Sequence, residues 1–222
     1  MYCPPFRRFT KATFLLAFLP LFGQAAPSEE ELFFKNISEV NDGDLRFLTK
    51  APDRLAHHHR NHITLTPASL GSGWVRLEQC HQYLDPVPSS QIVYNQDRIR
   101  ALRIVRAENI ERAWVHEHSV QMENIRHDAL LCIEAESLAL QNDGANGYVL
   151  HNGPYMRRFL DGYYPMRVSM RVSLGGSGLR FDSLTPAAQP GFNVRISQAE
   201  VGYDTWFEGR LTTAIRFVET GQ

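Results

Sequence analysis

The sequence predicts a mainly β protein: one or more antiparallel β-sandwiches with one or two short helices, following an N-terminal signal peptide. Three observations carry that reading. From about Ile63 onward apolar and polar residues alternate with a period of two, so each strand turns one face to a core and the other to water. Turns rich in Gly, Pro, Asn and Asp divide the alternating stretches. Helix start and stop signals are few.

In chain order, Arg7, Arg8 and Lys11 make a positive start, and Ala12 to Phe22 is an apolar run interrupted by Pro20. A helix crossing a bilayer needs about 20 apolar residues, so this run reads as a secretory leader. Gly23-Gln24-Ala25 puts small residues at the −3 and −1 positions of a cleavage site. Residues 1–25 are therefore expected to be removed after Ala25 or Ala26, and the protein to be exported to the periplasm or beyond. The mature chain carries no transmembrane segment. Residues 26–56 form an N-terminal extension. Glu29, Glu30 and Glu31 suit the start of a helical turn from Ser28 to Phe34. Asn41-Asp42-Gly43-Asp44 reads as a hairpin turn between Ile37–Val40 and Leu45–Leu48.

Residues 57–142 are expected to be a disulfide-linked β domain, and 148–222 a second β domain or the second half of one large sandwich. Between them, Gln141 to Gly147 has no large apolar side chain. Beyond it the alternation is regular. Met166, Val168, Met170, Val172 and Leu174 interleave with Arg167, Ser169, Arg171 and Ser173. Phe192, Val194 and Ile196 form a shorter strand of the same kind. Val201, Tyr203, Phe207, Leu211, Ile215 and Phe217 share one side, with Gly209 marking a bulge or bend. Pro154 to Leu160 carries the best helix signal, with Pro in the first turn and Gly162 past the end. Such a helix would plug the open end of a sandwich.

Composition narrows the function. The chain has 222 residues, 43% hydrophobic and 11% aromatic, which suits a folded protein rather than a disordered one. Its formal net charge is −1. Losing the three basic residues of the leader would leave 20 basic and 24 acidic residues, a net charge of −4. That balance argues against a nucleic-acid partner. Cleavage also removes Cys3, leaving Cys80 and Cys132 as a pair in an oxidising compartment. The immunoglobulin signature fails, because no Trp follows the first cysteine closely and position 130 is Leu.

All nine histidines lie between His57 and His151. His57, His58, His59 and His62 form a tract that reads as a flexible, solvated segment able to hold zinc or copper loosely. In Trp114-Val115-His116-Glu117-His118, a continuous strand would put His116 and His118 on one face. A neighbour such as His81, Glu134 or Glu136 would then complete a metal site. The aromatic stretch from Tyr155 through Arg157, Arg158, Tyr163 and Tyr164 is a candidate recognition surface for a protein, glycan or anionic ligand. Nucleophile elbows, phosphate loops and His-Glu-x-x-His are missing from the sequence, and no catalytic residue stands out. The function expected is a non-catalytic exported binding or accessory module with a protein or small-ligand partner. The alternative is a periplasmic metal-binding protein.

Overall fold

The computed structural model describes residues 43–144 and 147–220. The leader, the helical turn at 28–34 and the first strand of the expected N-terminal hairpin lie outside the described residues. The described residues fall in one compact unit. It is a mainly β protein whose sheets are antiparallel apart from a single parallel pair among the described strands.

The larger sheet runs β1(Arg46–Leu48), β14(Glu200–Glu208), β11(Met166–Ser173), β2(His58–Thr64), β3(Trp74–Leu84), β6(Ser119–Leu138) and β4(Ser89–Val93). β13(Phe192–Ile196) also pairs with β14, and β5(Ile99–His116) with β6. The second sheet runs β12(Leu179–Thr185), β15(Leu211–Glu219), β8(Gly147–Tyr155) and β7(Leu140–Asn142). β2 lies parallel to β11 and antiparallel to β3.

Alternation explains how the two sheets meet. On β11 the buried residues are Met166, Val168, Met170 and Val172, as the period of two requires. They share one core with Val201, Tyr203 and Phe207 of β14 and with Leu211, Ile215 and Phe217 of β15. Gly209 lies where the chain passes from one sheet to the other. Its φ is +82°, and a Cβ there would stand 2.0 Å from the Asp44 carbonyl oxygen, so only glycine fits. β7 and β8, which meet the Gln141 to Gly147 stretch from its two ends, pair with each other.

A second, smaller core belongs to the β5–β6 hairpin. Ile99, Val120, Met122, Ile125, Leu131 and Ile133 bury against one another there. Register shifts interrupt the pairing at three places along it, with Ala101 and Asn109 on β5 in the left-handed region. Bulges of this kind add twist and bend a ribbon. The hairpin curls back, so that Glu117 and His118 at its tip border the same hollow as Gln96 and Arg100 at its base.

Three expectations need correction. Pro154 to Leu160 is not a helix. Pro154 and Tyr155 end β8, and β9(Arg157–Phe159) pairs with β10(Gly162–Tyr164) around a two-residue turn. Aromatic residues favour strands, and Asp161-Gly162 is turn chemistry, which outweighs the Pro and Gly punctuation. A helix does form at α1(Pro67–Ser72), where Gly71-Ser72-Gly73 reads in the sequence as a turn between strands. Pro67 opens it, and the Gly73 N–H closes it on the Ser69 carbonyl at 2.8 Å. Finally, the histidine tract is no flexible segment. It is β2, held between β11 and β3 in the middle of the larger sheet.

Candidate functional site

Because β2 is a strand, its histidines separate by face. His59, Asn61 and Ile63 point to the interior, while Arg60 and His62 sit on the outer face with His58. β3 presents Leu77, Gln79 and His81 inward. The register sets His59 opposite His81 and Asn61 opposite Gln79. Two directly facing polar pairs thus interrupt otherwise apolar strand faces, and His57 joins them just before β2 begins.

These groups form one hydrogen-bonded network. His57 Nε2 lies 3.0 Å from His81 Nδ1, and His81 Nε2 lies 3.1 Å from Gln79 Oε1. Gln79 Oε1 also accepts from the Tyr94 hydroxyl at 2.5 Å, while Gln79 Nε2 donates to Asn61 Oδ1 at 3.0 Å. Asn61 Oδ1 accepts a second bond from His59 Nε2 at 2.9 Å, and Asn61 Nδ2 donates to the Tyr155 hydroxyl at 2.6 Å. One proton arrangement satisfies every distance. The amide oxygens only accept, so His81 and His59 carry their protons on Nε2, and His57 Nε2 donates to the bare Nδ1 of His81. His57 and His59 keep an unshared pair on Nδ1. Tyr155 keeps its own proton to give.

Burial keeps these imidazoles neutral. It lowers His57 to about 4, aided by Arg157 and His58 and opposed by Asp85. It lowers His59 to about 3, with His57 adding to the effect, and holds His81 well below the ordinary range. The Tyr155 and Tyr94 hydroxyls are pushed up by burial and stay protonated.

The network lines a cavity of about 420 Å³ between the two cores, a size usual for small-molecule sites. Tyr94, Asn95 and Arg98 close it from the side of the curled hairpin, and Asn152 and Tyr155 from the second sheet. Ile63, Leu77, Ile92 and Met166 supply an apolar wall. Arg98 is occupied, since Nε and Nη2 donate to the Leu138 carbonyl at 2.9 and 2.8 Å. Asn152 is the exception to this satisfaction. It is only 8% exposed, and its Nδ2 is the one buried side-chain polar atom among the described residues without a hydrogen-bond partner.

Of the residues singled out in the sequence, the structure brings together His57, His59, His81 and Tyr155. His116 and His118 lie elsewhere and do not share a strand face. β5 ends at His116, Glu117 and His118 make the two-residue turn, and His116 pairs with Ser119. Glu117 takes a left-handed φ of 52° with no glycine to announce it, so the alternation appeared continuous. Among the described residues no three His, Cys, Asp or Glu side chains are arranged to hold a metal ion. The His57, His59 and His81 rings lie against one another, with centroids 4.3 to 6.1 Å apart. His57 and His59 each commit one nitrogen to a neighbour, and His81 commits both.

The outer face carries two arrangements that resemble nucleophile relays. His58 Nε2 lies 2.7 Å from Ser169 Oγ, which donates to Asp204 at 3.0 Å. Burial raises the Asp204 carboxyl, but the bidentate Arg167 and the Ser169 bond outweigh it and hold it below its usual value. The serine hydroxyl therefore directs its proton to a charge-paired carboxylate rather than to His58. His62 stands between Ser173 Oγ at 2.9 Å and Glu78 at 3.5 Å. Arg171 Nη2, 3.2 Å away, donates to His62 Nδ1. That leaves the proton on Nε2, the wrong tautomer to accept one from serine. Glu134 and Glu136 are each held by arginines, Arg103 and Arg76 on the first and Arg100 on the second.

The aromatic stretch is only partly surface. Tyr155 and Tyr163 are buried, and Tyr163 accepts a hydrogen bond from Arg210 at 2.7 Å. Arg157 is clamped on Asp85 at 2.6 and 3.0 Å, and Tyr164 donates to Asp161 at 2.5 Å. Met156, Arg158, Phe159, Leu160 and Asp161 are exposed. Cys80 and Cys132 are bonded as a disulfide across directly paired positions of β3 and β6.

Sequence reading missed Asn61, Gln79, Tyr94 and Asn152. A signal existed for the first two: each is a polar residue placed where alternation calls for an apolar one. Nothing local marks Tyr94 or Asn152, which join the site only through tertiary packing. The chain matches no protein-family model, no curated protein and no solved structure. Fold and site therefore define its class: a β-sandwich with a histidine-lined cavity.

Proposed function

We propose that the protein is an exported, non-catalytic binding module that takes a small ligand into the cavity between its two cores. The observation that carries the reading is the Asn152 amide. A buried donor left unpaired costs about 1–3 kcal/mol, and a bound acceptor would remove that cost. The leader-like N-terminus and the Cys80–Cys132 bridge support the exported setting. The relays on the outer face are blocked by their charge partners, which favours binding over catalysis.

Ligand-observed NMR with a panel of neutral, anionic and cationic fragments tests the reading on the purified protein. Asn152→Leu keeps the branching and heavy-atom count of the side chain and breaks no hydrogen bond, and a melting temperature within a few degrees of the wild type checks that the larger side chain is accommodated. The expected result is a set of fragments that bind the wild type and are lost or weakened about tenfold in Asn152→Leu. Absence of any fragment sensitive to that substitution overturns the proposal. Stoichiometric zinc or copper binding that disappears in His57→Ala or His81→Ala would replace it with the metal-binding alternative.

A further inference from the structure

We infer that the cavity's ligand is a small neutral saccharide, a monosaccharide or disaccharide, held by Asn152, Tyr155 and the two inward imidazoles. The inference rests on the binding reading above and adds the ligand's chemistry. Charge comes first. The wall holds amides, phenols and the neutral, buried His57, His59 and His81, with no carboxylate among them, and its one arginine, Arg98, already gives Nε and Nη2 to the Leu138 carbonyl. A cationic ligand would be desolvated there with no counter-ion, and an anionic one would meet only an arginine already held by a carbonyl, both unfavourable.

The hydrogen-bonding pattern comes next. Two donors await an acceptor, the Asn152 amide and the Tyr155 hydroxyl proton. Two acceptors await a donor, the Nδ1 atoms of His57 and His59. A ligand whose groups only accept, or only donate, would satisfy half of this set. A hydroxyl does both, and a ring bearing several hydroxyls can answer donors and acceptors at once. Shape agrees, because the polar set faces an apolar wall of Ile63, Leu77 and Met166. A pyranose has the same division, with C–H groups on its face and hydroxyls around its edge. The neutral state of the buried histidines keeps these acceptors available at neutral pH.

The test uses isothermal titration of the purified protein with glucose, galactose, N-acetylglucosamine, maltose and cellobiose. Glucuronate and glucosamine serve as charged comparators. At least one neutral sugar should bind saturably at one site, with both charged sugars about tenfold weaker or worse. Asn152→Leu should weaken that sugar about tenfold, and His59→Phe should weaken it while leaving the melting temperature within a few degrees. The inference falls if no neutral sugar binds, if the charged sugars bind equally well, or if Asn152→Leu leaves affinity unchanged. Fragments that still bind in an Asn152-dependent way would then preserve the binding reading and refute the saccharide alone. No binding of sugars or fragments refutes both.

Discussion

At the scale of single residues, the buried imidazoles couple stability to pH. His57, His58, His59 and His81 all titrate below the ordinary histidine range because burial disfavours the charged ring. In the unfolded chain each returns to about 6.5. Between those values the unfolded state binds protons that the native state does not, so acid favours unfolding. The stability these groups contribute is present above about pH 6.5 and is lost as pH falls through about 4. Each contributes up to about 1.4 kcal/mol per pH unit across that window. Urea unfolding measured from pH 7.5 to 4 should show the decline, and His57→Gln should reduce the slope by about one proton. A flat profile would mean that these histidines are solvated. Asp85 beside His57 and Asp204 near His58 oppose the effect without reversing it.

At the scale of elements, β3 joins the two cores. It pairs with β2 on one edge and with β6 on the other, and the Cys80–Cys132 bridge ties it to β6. The cysteines are 52 residues apart in sequence, so the bridge restricts a long loop in the unfolded chain. The typical effect of such a bridge is about 2–4 kcal/mol. Because the backbone ladder remains, Cys80→Ser/Cys132→Ser should keep its far-ultraviolet dichroism while its unfolding free energy, read from denaturant titration, drops by that amount. Loss of strand signal instead would show that the bridge is needed to form the sheet. The β5–β6 hairpin has a different vulnerability. β5 is an edge of the larger sheet, paired with β6 alone among the described strands, and its arginines Arg100, Arg103, Arg106 and Arg112 pair with acids. Charge and bulges on such a strand discourage pairing with another chain.

At the scale of the whole molecule, the expected export makes a direct prediction. Expressed with its own N-terminus in a secreting host, the protein should appear with Ala26 or Pro27 as its first residue, and with no free thiol. N-terminal sequencing and thiol titration check both. A product retaining Met1, or a reactive Cys80 or Cys132, would count against the exported reading. Whole-molecule packing also creates the cavity, because neither core encloses it alone. The sandwich supplies His59, His81 and Asn152, while β4 supplies Ile92 and the connection from it into the curled hairpin supplies Tyr94.

Much of the sandwich was legible because alternation is local. The faces of β11, β14 and β15 follow from side chains pointing alternately up and down a strand, and the burial of Met166 through Val172 repeats the sequence pattern. The two cysteines could be paired by counting once the leader was set aside. The short segments were misread where local signals compete. Pro154 and Gly162 imitate helix punctuation, and the turn at Glu117-His118 carries no residue that marks it. The site itself lay beyond local reading. Whether His57 to His62 is a loose tract or a central strand depends on two partner strands, one of them over 100 residues away. Periodicity therefore determines which side of a strand is buried. Only the tertiary fold decides which buried polar groups meet, because register and sheet packing are set by contacts between distant segments.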